Sequence, residues 1–301
     1  MKNLRKKFVA KVPKAWRIVV YIVAALAVLL AILAIIFVIW RANYRAENAA
    51  ARAEAVKPDS ELIGARFVVP RDGEDGVKVN LYIPQHDKNE DLPVIFNIHG
   101  GGFVGNDADS LDTQSERYSD NWHAIVVTIN FTKPDVKSID YGVDEIVDTV
   151  LYFDDNAKVF NADSDRFSVI GYSSGGFYAA KAAEQLDADG FKLAGQILNA
   201  PYVYGLPDDV ESTVAPAFFV LGTDDPISQS SGPYQETLRD AGVDVTVKEY
   251  EGGLHPFIES INPEFHNNTD DDQYVTQHQQ ELAVQAETDI DEWLQEQYRQ
   301  R

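Results

Sequence analysis

Residues 169–177 read Val-Ile-Gly-Tyr-Ser-Ser-Gly-Gly-Phe, and an alanine-rich segment follows them. Hydrophobic patterning around this segment predicts a buried strand over residues 166–171 and a helix over residues 175–186. A Gly-x-Ser-x-Gly motif between a strand and a helix is typical of a nucleophile elbow, a turn too tight for side chains beside the serine. The motif favours Ser173 as the nucleophile over Ser174, because a tyrosine stands two positions before Ser174.

The charge of the chain is divided unevenly. Residues 1–57 hold 11 Lys and Arg against 2 Asp and Glu, whereas residues 58–301 hold 15 against 46. Nucleic-acid binding needs a basic surface, so the acidic second part argues against nucleic acid as a partner. The length of 301 residues suffices for a large domain, and the absence of cysteine excludes disulfides and thiol chemistry.

The N-terminal part of the chain has the organisation of a membrane anchor. Seven Lys and Arg, with no acidic residue among them, precede an uncharged run of 23 residues. As a helix this run would be about 34 Å long, enough to cross a hydrocarbon core of about 30 Å. The pattern predicts a basic segment 1–17, a transmembrane helix 18–40 in contact with the lipid bilayer, a helical stalk 41–58 and a main domain 59–301.

A cleaved signal peptide is the alternative to this anchor. Ala49, Ala51 and Ala53 offer the small-residue pairs that a signal peptidase accepts. The length of the apolar run, and the two arginines at 41 and 45 that separate it from these alanines, favour a retained anchor. The excess of basic residues before the span predicts a single-pass protein of the cell membrane, with a cytoplasmic N-terminus and an extracytoplasmic main domain.

The main domain alternates strand and helix patterns. Such alternation predicts a mostly parallel sheet flanked by helices, the α/β class. The segments 92–98 and 124–130 are almost continuously apolar, as expected for strands buried on both faces. Further strands are predicted at 65–69, 77–83, 193–198, 217–221 and 243–250, and further helices at 142–158 and 276–297.

A serine nucleophile requires a base that takes its proton and an acid that orients the base. Downstream of the elbow, the predicted strand at 217–221 is followed by an acidic turn that contains Asp224 and Asp225. A Gly-rich loop after the last predicted strand then supplies His255. The order serine, aspartate, histidine is the one that accompanies this elbow motif.

A second glycine-rich motif, His99-Gly100-Gly101-Gly102-Phe103, follows the predicted strand 92–98. Successive glycines let backbone N–H groups approach a developing oxyanion without obstruction by side chains. The expected donors are the amides of Gly101, Gly102 and Ser174, while His99 and Gly100 are expected to support the loop. The remaining histidines, at 86, 123, 266 and 278, have no comparable setting and are expected to be structural.

Together, the motifs at 99–103 and 171–176, the Asp-Pro pair at 225 and 226, and His255 resemble the α/β-hydrolase superfamily, most closely the hormone-sensitive-lipase-like esterases. The resemblance covers about residues 60–300 and implies ester hydrolysis through an acyl-enzyme, without cofactor or metal. It also favours Asp225 over Asp224 as the acid, because the family places the acid third after the glycine at 222 and directly before the proline.

The sequence says less about the substrate. Only 16 residues separate Ala200 from the strand predicted to begin at Ala217, too few for a separate cap domain, although residues 201–214 could form a short lid. An open cleft for short-acyl, small or envelope-associated esters is therefore expected, with carboxylesterase or acetylesterase activity. Candidate pocket residues are Phe103, Tyr172 and Tyr202. The alternatives are an amide or peptide hydrolase, similar to arylformamidases or some peptidases, and a catalytically silent binding protein.

Overall fold

The computed structural model describes residues 14–268 and 271–301. The chain divides into two compact units, residues 1–49 and residues 50–301. Most of the predicted basic segment, up to residue 13, lies outside the described residues.

In its described part, the first unit consists of helix α1 (Lys14–Glu54), which continues into the second unit. The large apolar side chains from Trp16 to Trp40 are exposed, and an 18-residue window of the helix has a mean hydropathy of 3.5. By length and composition this helix could cross a membrane. It ends at Glu54, before the proline at 58, and bonds such as Ala55 N–H to the Arg52 carbonyl (3.1 Å) tighten its last turn.

The second unit is built on an eight-stranded sheet with the strand order β1-β2-β4-β3-β5-β6-β7-β8. Strand β2 is antiparallel to both of its neighbours, and all other neighbouring strands are parallel. The carboxyl ends of the parallel strands therefore meet at one edge of the sheet. The strands are β1 (Ala65–Val69), β2 (Val77–Tyr82), β3 (Leu92–Ile98), β4 (Ile125–Asn130), β5 (Ala162–Tyr172), β6 (Gly195–Asn199), β7 (Ala217–Gly222) and β8 (Val245–Tyr250).

Helices cover both faces of this sheet, which explains why every residue of β3, β6 and β7 is buried. Two separate hydrophobic clusters form the core: one includes residues of α3 and α5, the other residues of α9. The helices after α1 are α2 (Asp112–Asn121), α3 (Ile139–Asp155), α4 (Ala157–Phe160), α5 (Ser174–Ala188), α6 (Pro226–Gln229), α7 (Gly232–Ala241), α8 (Pro263–Asn268) and α9 (Gln277–Arg299).

The α/β class and the mostly parallel sheet are confirmed, and each predicted strand is present with boundaries that differ by at most four residues. Helices α2 and α7 are absent from the sequence-based predictions. Helix α2 buries polar side chains and presents no apolar stripe; its buried residues are Asp112, Gln114, Ser115, Tyr118 and Ser119. A search for hydrophobic periodicity therefore does not detect this helix.

Candidate active site

The predicted nucleophile lies between β5 and α5, at the carboxyl edge of the sheet. Ser173 has φ +52° and ψ −117°, a conformation that costs on the order of 1–3 kcal/mol and that its surroundings must enforce. A Cβ on Gly171 would lie 2.3 Å from the Gly175 carbonyl oxygen, and a Cβ on Gly175 would lie 2.2 Å from that of Ile98. Only glycine fits at these two positions, so the serine projects from a tightly packed turn.

The structure brings Ser173, His255 and Asp225 into one hydrogen-bonded chain. His255 Nε2 lies 3.0 Å from Ser173 Oγ, and His255 Nδ1 lies 2.9 Å from Asp225 Oδ2. With the ring proton on Nδ1 donated to the carboxylate, Nε2 is free to accept the serine proton. This arrangement can activate a hydroxyl for nucleophilic attack.

Asp225 is fully buried at the turn that follows β7, and it also accepts hydrogen bonds from Ile227 N (2.8 Å) and Ser228 Oγ (2.6 Å). Burial alone would raise the pKa of Asp225, but the bonds from His255, Ser228 and Ile227 outweigh it and hold that pKa below its ordinary value. The competing candidate, Asp224, is exposed. Its carboxylate accepts a hydrogen bond from Thr223 Oγ1, at 3.4 Å.

The glycine-rich loop after β3 turns back on itself beside the serine. The Gly101 carbonyl accepts hydrogen bonds from Val104 N (3.3 Å) and Gly105 N (2.8 Å). Gly101 has φ +120°, and a Cβ there would lie 2.6 Å from the Gly105 carbonyl oxygen, so this close approach requires glycine. Gly102, at φ +58°, borders the same cavity as Ser173.

His99 lies completely buried beneath this loop. Its Nδ1 lies 2.7 Å from the Gly100 carbonyl oxygen, its Nε2 lies 3.0 Å from Lys133 Nζ, and its ring stacks on Phe131. Burial and the neighbouring Lys133 lower the pKa of His99 well below its ordinary value, so the ring is neutral and supports the loop. Lys133 is itself buried, which lowers the pKa of its ammonium group to about 7.

Two cations, one near the end of α1 and one just after it, bond to residues near the site. Arg52 donates to the Val104 carbonyl (2.7 Å) and lies 3.1 Å from both oxygens of the buried Asp135. Lys57 donates to Asp112 (2.7 Å) and to Glu264 (2.6 Å). Neither residue could be identified from the sequence, because nothing in the local pattern relates Arg52 or Lys57 to segments that lie about 50 to 200 residues away.

Ser173 and His255 open into a cavity of about 270 Å³. Its other lining residues are Gly100, Gly101, Gly102, Asn106, Ser110, Tyr172, Pro256, Glu259, Glu264 and Phe265. A larger cavity of about 500 Å³ lies beside β1 and β2, but it contains none of the predicted site residues. In the described part of the chain, no group of three or more His, Asp or Glu side chains is placed to hold a metal ion.

The three aromatic residues considered for the pocket have different positions. Phe103 and Tyr202 contact each other edge to face, with ring centroids 5.2 Å apart, and neither borders the cavity at Ser173. Tyr172 borders the cavity, but its side chain is buried in the core and its hydroxyl donates to Tyr118 Oη (3.0 Å). The structure therefore does not bring the Phe103 and Tyr202 rings to the nucleophile.

The chain was compared with known proteins. A family model described as BD-FAE matches residues 79–199. A versiconal hemiacetal acetate esterase of Dothistroma septosporum is 27% identical over 141 residues, which cover 46% of this chain and 42% of that protein. The carboxylesterase NlhH of Mycobacterium tuberculosis is 28% identical over 178 residues, 56% of each protein. The chain thus spans about half the length of these two relatives.

Solved structures agree on the fold. An esterase of Pyrobaculum calidifontis superposes with a TM-score of 0.65 at 19% identity, over 84% of this chain and 92% of that one. Together with the strand order and the elbow between β5 and α5, this likeness identifies the architecture. The chain has the α/β-hydrolase fold, and it is similar to esterases in both sequence and structure.

Proposed function

We propose that the chain is a membrane-anchored serine hydrolase that cleaves short-acyl carboxylic esters through an acyl-enzyme. The observation that carries this proposal is the hydrogen-bonded chain from Ser173 through His255 to Asp225, open to a cavity that the loop glycines also border. The esterase names of the relatives support the same chemistry.

In the first half of the reaction, Ser173 Oγ attacks the ester carbonyl while His255 Nε2 takes the serine proton. Asp225 holds the imidazole and stabilises the imidazolium that forms. The carbonyl oxygen becomes an oxyanion, and its proposed hydrogen-bond donors are the amides of Gly101, Gly102 and Ser174. Collapse of this intermediate breaks the bond to the alcohol, which leaves with the proton from His255.

In the second half, water attacks the acyl-serine. His255 accepts a proton from that water, a second oxyanion forms in the same place, and its collapse releases the carboxylic acid and restores Ser173. Every proton in the cycle passes through one imidazole nitrogen, so the orientation of His255 by Asp225 matters in both halves.

The cavity favours short acyl groups. Its volume is about 270 Å³, and residues 200–216, between β6 and β7, contain no helix or strand that would form a cap domain. We expect acetyl and butyryl esters to be cleaved faster than long-chain ones. Activity on long-chain triacylglycerols well above that on acetyl or butyryl esters would contradict this expectation.

For the anchor, we propose that residues 18–40 span the cell membrane with the N-terminus in the cytoplasm and the hydrolase domain outside. The charge difference across the span supports this orientation. Protease added to intact cells should then remove the hydrolase domain. A hydrolase domain that is degraded only after lysis would indicate the opposite orientation, with that domain in the cytoplasm.

The catalytic proposal is tested with a fluorophosphonate probe on the full-length chain in detergent. Labelling of the wild type that is lost in Ser173→Ala and kept in Ser174→Ala would support an activated serine at the elbow. A panel of p-nitrophenyl esters and acyl anilides then separates ester hydrolysis from amide hydrolysis. A folded protein that is neither labelled nor active would favour a binding role instead.

A further inference from the structure

Glu259 is a carboxylate of the active-site cavity that the triad does not use. It ends a short 3₁₀ turn (Phe257–Glu259) in the loop after His255, is half-buried, and borders the same cavity as Ser173. Among residues 14–268 and 271–301, no donor forms a hydrogen bond or ion pair with its carboxylate. The cavity therefore presents a carboxylate without a partner from the described protein.

The other glutamate of the cavity, Glu264, is different because one of its carboxylate oxygens is paired with a cation. Lys57 Nζ lies 2.6 Å from Glu264 Oε1, and Thr113 Oγ1 donates to the same oxygen at 2.7 Å. Its charge is compensated from within the chain. Glu259 thus differs from Glu264 in having no ion pair among the described residues.

The surroundings of Glu259 favour a positive ligand. Burial raises the pKa of Glu259 to about 7, because little solvent stabilises the charged form, while the attraction of His255 acts in the opposite direction. The other titratable residues that border the cavity are Tyr172, whose phenol is buried in the core, and Glu264, and neither supplies a positive charge. A cation bound beside Glu259 would supply the charge compensation that the protein does not.

The position of Glu259 indicates that it would contact the alcohol part of the ester. His255 Nε2, 3.0 Å from Ser173 Oγ, must give its proton to the leaving alcohol, which therefore departs on the histidine side. Glu259 lies four residues after His255, and its own N–H donates to the Pro256 carbonyl at 3.0 Å, which fixes the turn against that loop. The alcohol part of the substrate passes this side of the cavity.

We propose that Glu259 forms a subsite for a positively charged alcohol part, so that the preferred substrates are short-acyl esters of cationic alcohols. The excess of acidic over basic residues in 58–301, 46 against 15, would also steer cations toward the domain. This inference rests on the ester hydrolysis proposed above and names the substrate class of that same site.

The test compares two acetate esters of the same shape, acetylcholine and 3,3-dimethylbutyl acetate, which differ in a charged nitrogen against a neutral carbon. The full-length chain is assayed in neutral detergent, and the measured quantity is the ratio of kcat/KM for the charged ester to kcat/KM for the neutral one. At pH 8 we expect this ratio to be about tenfold higher in the wild type than in Glu259→Gln. At pH 6, where Glu259 is mostly protonated, the difference should shrink to about twofold or less.

Glu251→Gln is the matched control, because it makes the same substitution at an exposed glutamate of the same loop. It should keep the wild-type ratio. Hydrolysis of the neutral ester with equal ratios in wild type and Glu259→Gln would overturn the subsite and leave the proposed esterase intact. Absence of hydrolysis of either ester and of p-nitrophenyl acetate would overturn both.

Discussion

Asp225 and Glu259 are two carboxylates that both interact electrostatically with His255, and burial acts to raise the pKa of each. Asp225 is the more deeply buried, yet its pKa is below the ordinary value, because His255, Ile227 and Ser228 all donate to it. Glu259 has no such donors in the described chain, and its pKa rises to about 7. Donors, more than depth, determine whether a buried carboxylate stays charged.

The largest effect is expected from removing the charge of Asp225. Asp225→Asn should lower kcat on p-nitrophenyl acetate by about 10⁴-fold, because the neutral amide neither stabilises the imidazolium nor enforces the correct ring tautomer. The matched control is Asp224→Asn, at the exposed neighbour, which should stay within about twofold of the wild type. If the two variants behave in the opposite way, Asp224 is the acid of the triad.

An intermediate effect is expected from removing one donor to Asp225. Ser228→Ala deletes the 2.6 Å bond to Oδ2, so the pKa of Asp225 should rise toward its ordinary value. We expect kcat/KM to fall by about tenfold near pH 4, where an aspartate of ordinary pKa is partly protonated, and by less at pH 8, where the aspartate is ionised in either case. A profile from pH 3.5 to pH 9 measures this difference.

The control for that profile is Ser230→Ala. Ser230 belongs to the same turn, but its hydroxyl donates to the Ile227 carbonyl and not to Asp225. In Ser230→Ala, the fall of kcat/KM at low pH should coincide with that of the wild type. If Ser228→Ala also shows the wild-type fall at low pH, the remaining donors alone keep Asp225 charged.

The smallest effect is expected on the melting temperature, when the charge of Glu259 is removed. Because its folded-state pKa is raised, its contribution favours folding below the ordinary pKa of glutamate and is lost as pH rises through about 7. Glu259→Gln should therefore match the wild-type Tm at pH 5 and exceed it by roughly 2–4 °C at pH 8. Differential scanning calorimetry measures both. An equal Tm at both pH values would mean that the carboxylate is well solvated.

Local patterns in the sequence predicted much of the fold. Strands buried on both faces, such as 92–98, consist mainly of apolar residues. The glycines around Ser173 indicate a turn that has no room for side chains at its neighbours. The triad could be proposed because each member follows a strand whose carboxyl end lies at the same edge of the sheet. These features depend on neighbours in sequence.

Other features of the site depend on contacts between distant segments. The difference between Glu259 and Glu264 could not be predicted, since it exists only because Lys57, about 200 residues earlier, reaches one glutamate and not the other. Likewise, the aromatic character of Phe103 suggested a pocket, but the side chains that surround it, including Phe177 and Tyr202, place it in an aromatic cluster. Helix α2 was missed because it buries polar groups.

The bonds made by Arg52 and Lys57 have a mechanical consequence. On the anchoring proposed above, any pull on the tether enters the hydrolase domain through the residues that follow the membrane span. Arg52 passes this load to Val104, next to the glycine-rich loop, and Lys57 passes it to Glu264, in the wall of the cavity. Force transmitted along the tether would thus be applied at the margin of the substrate cleft.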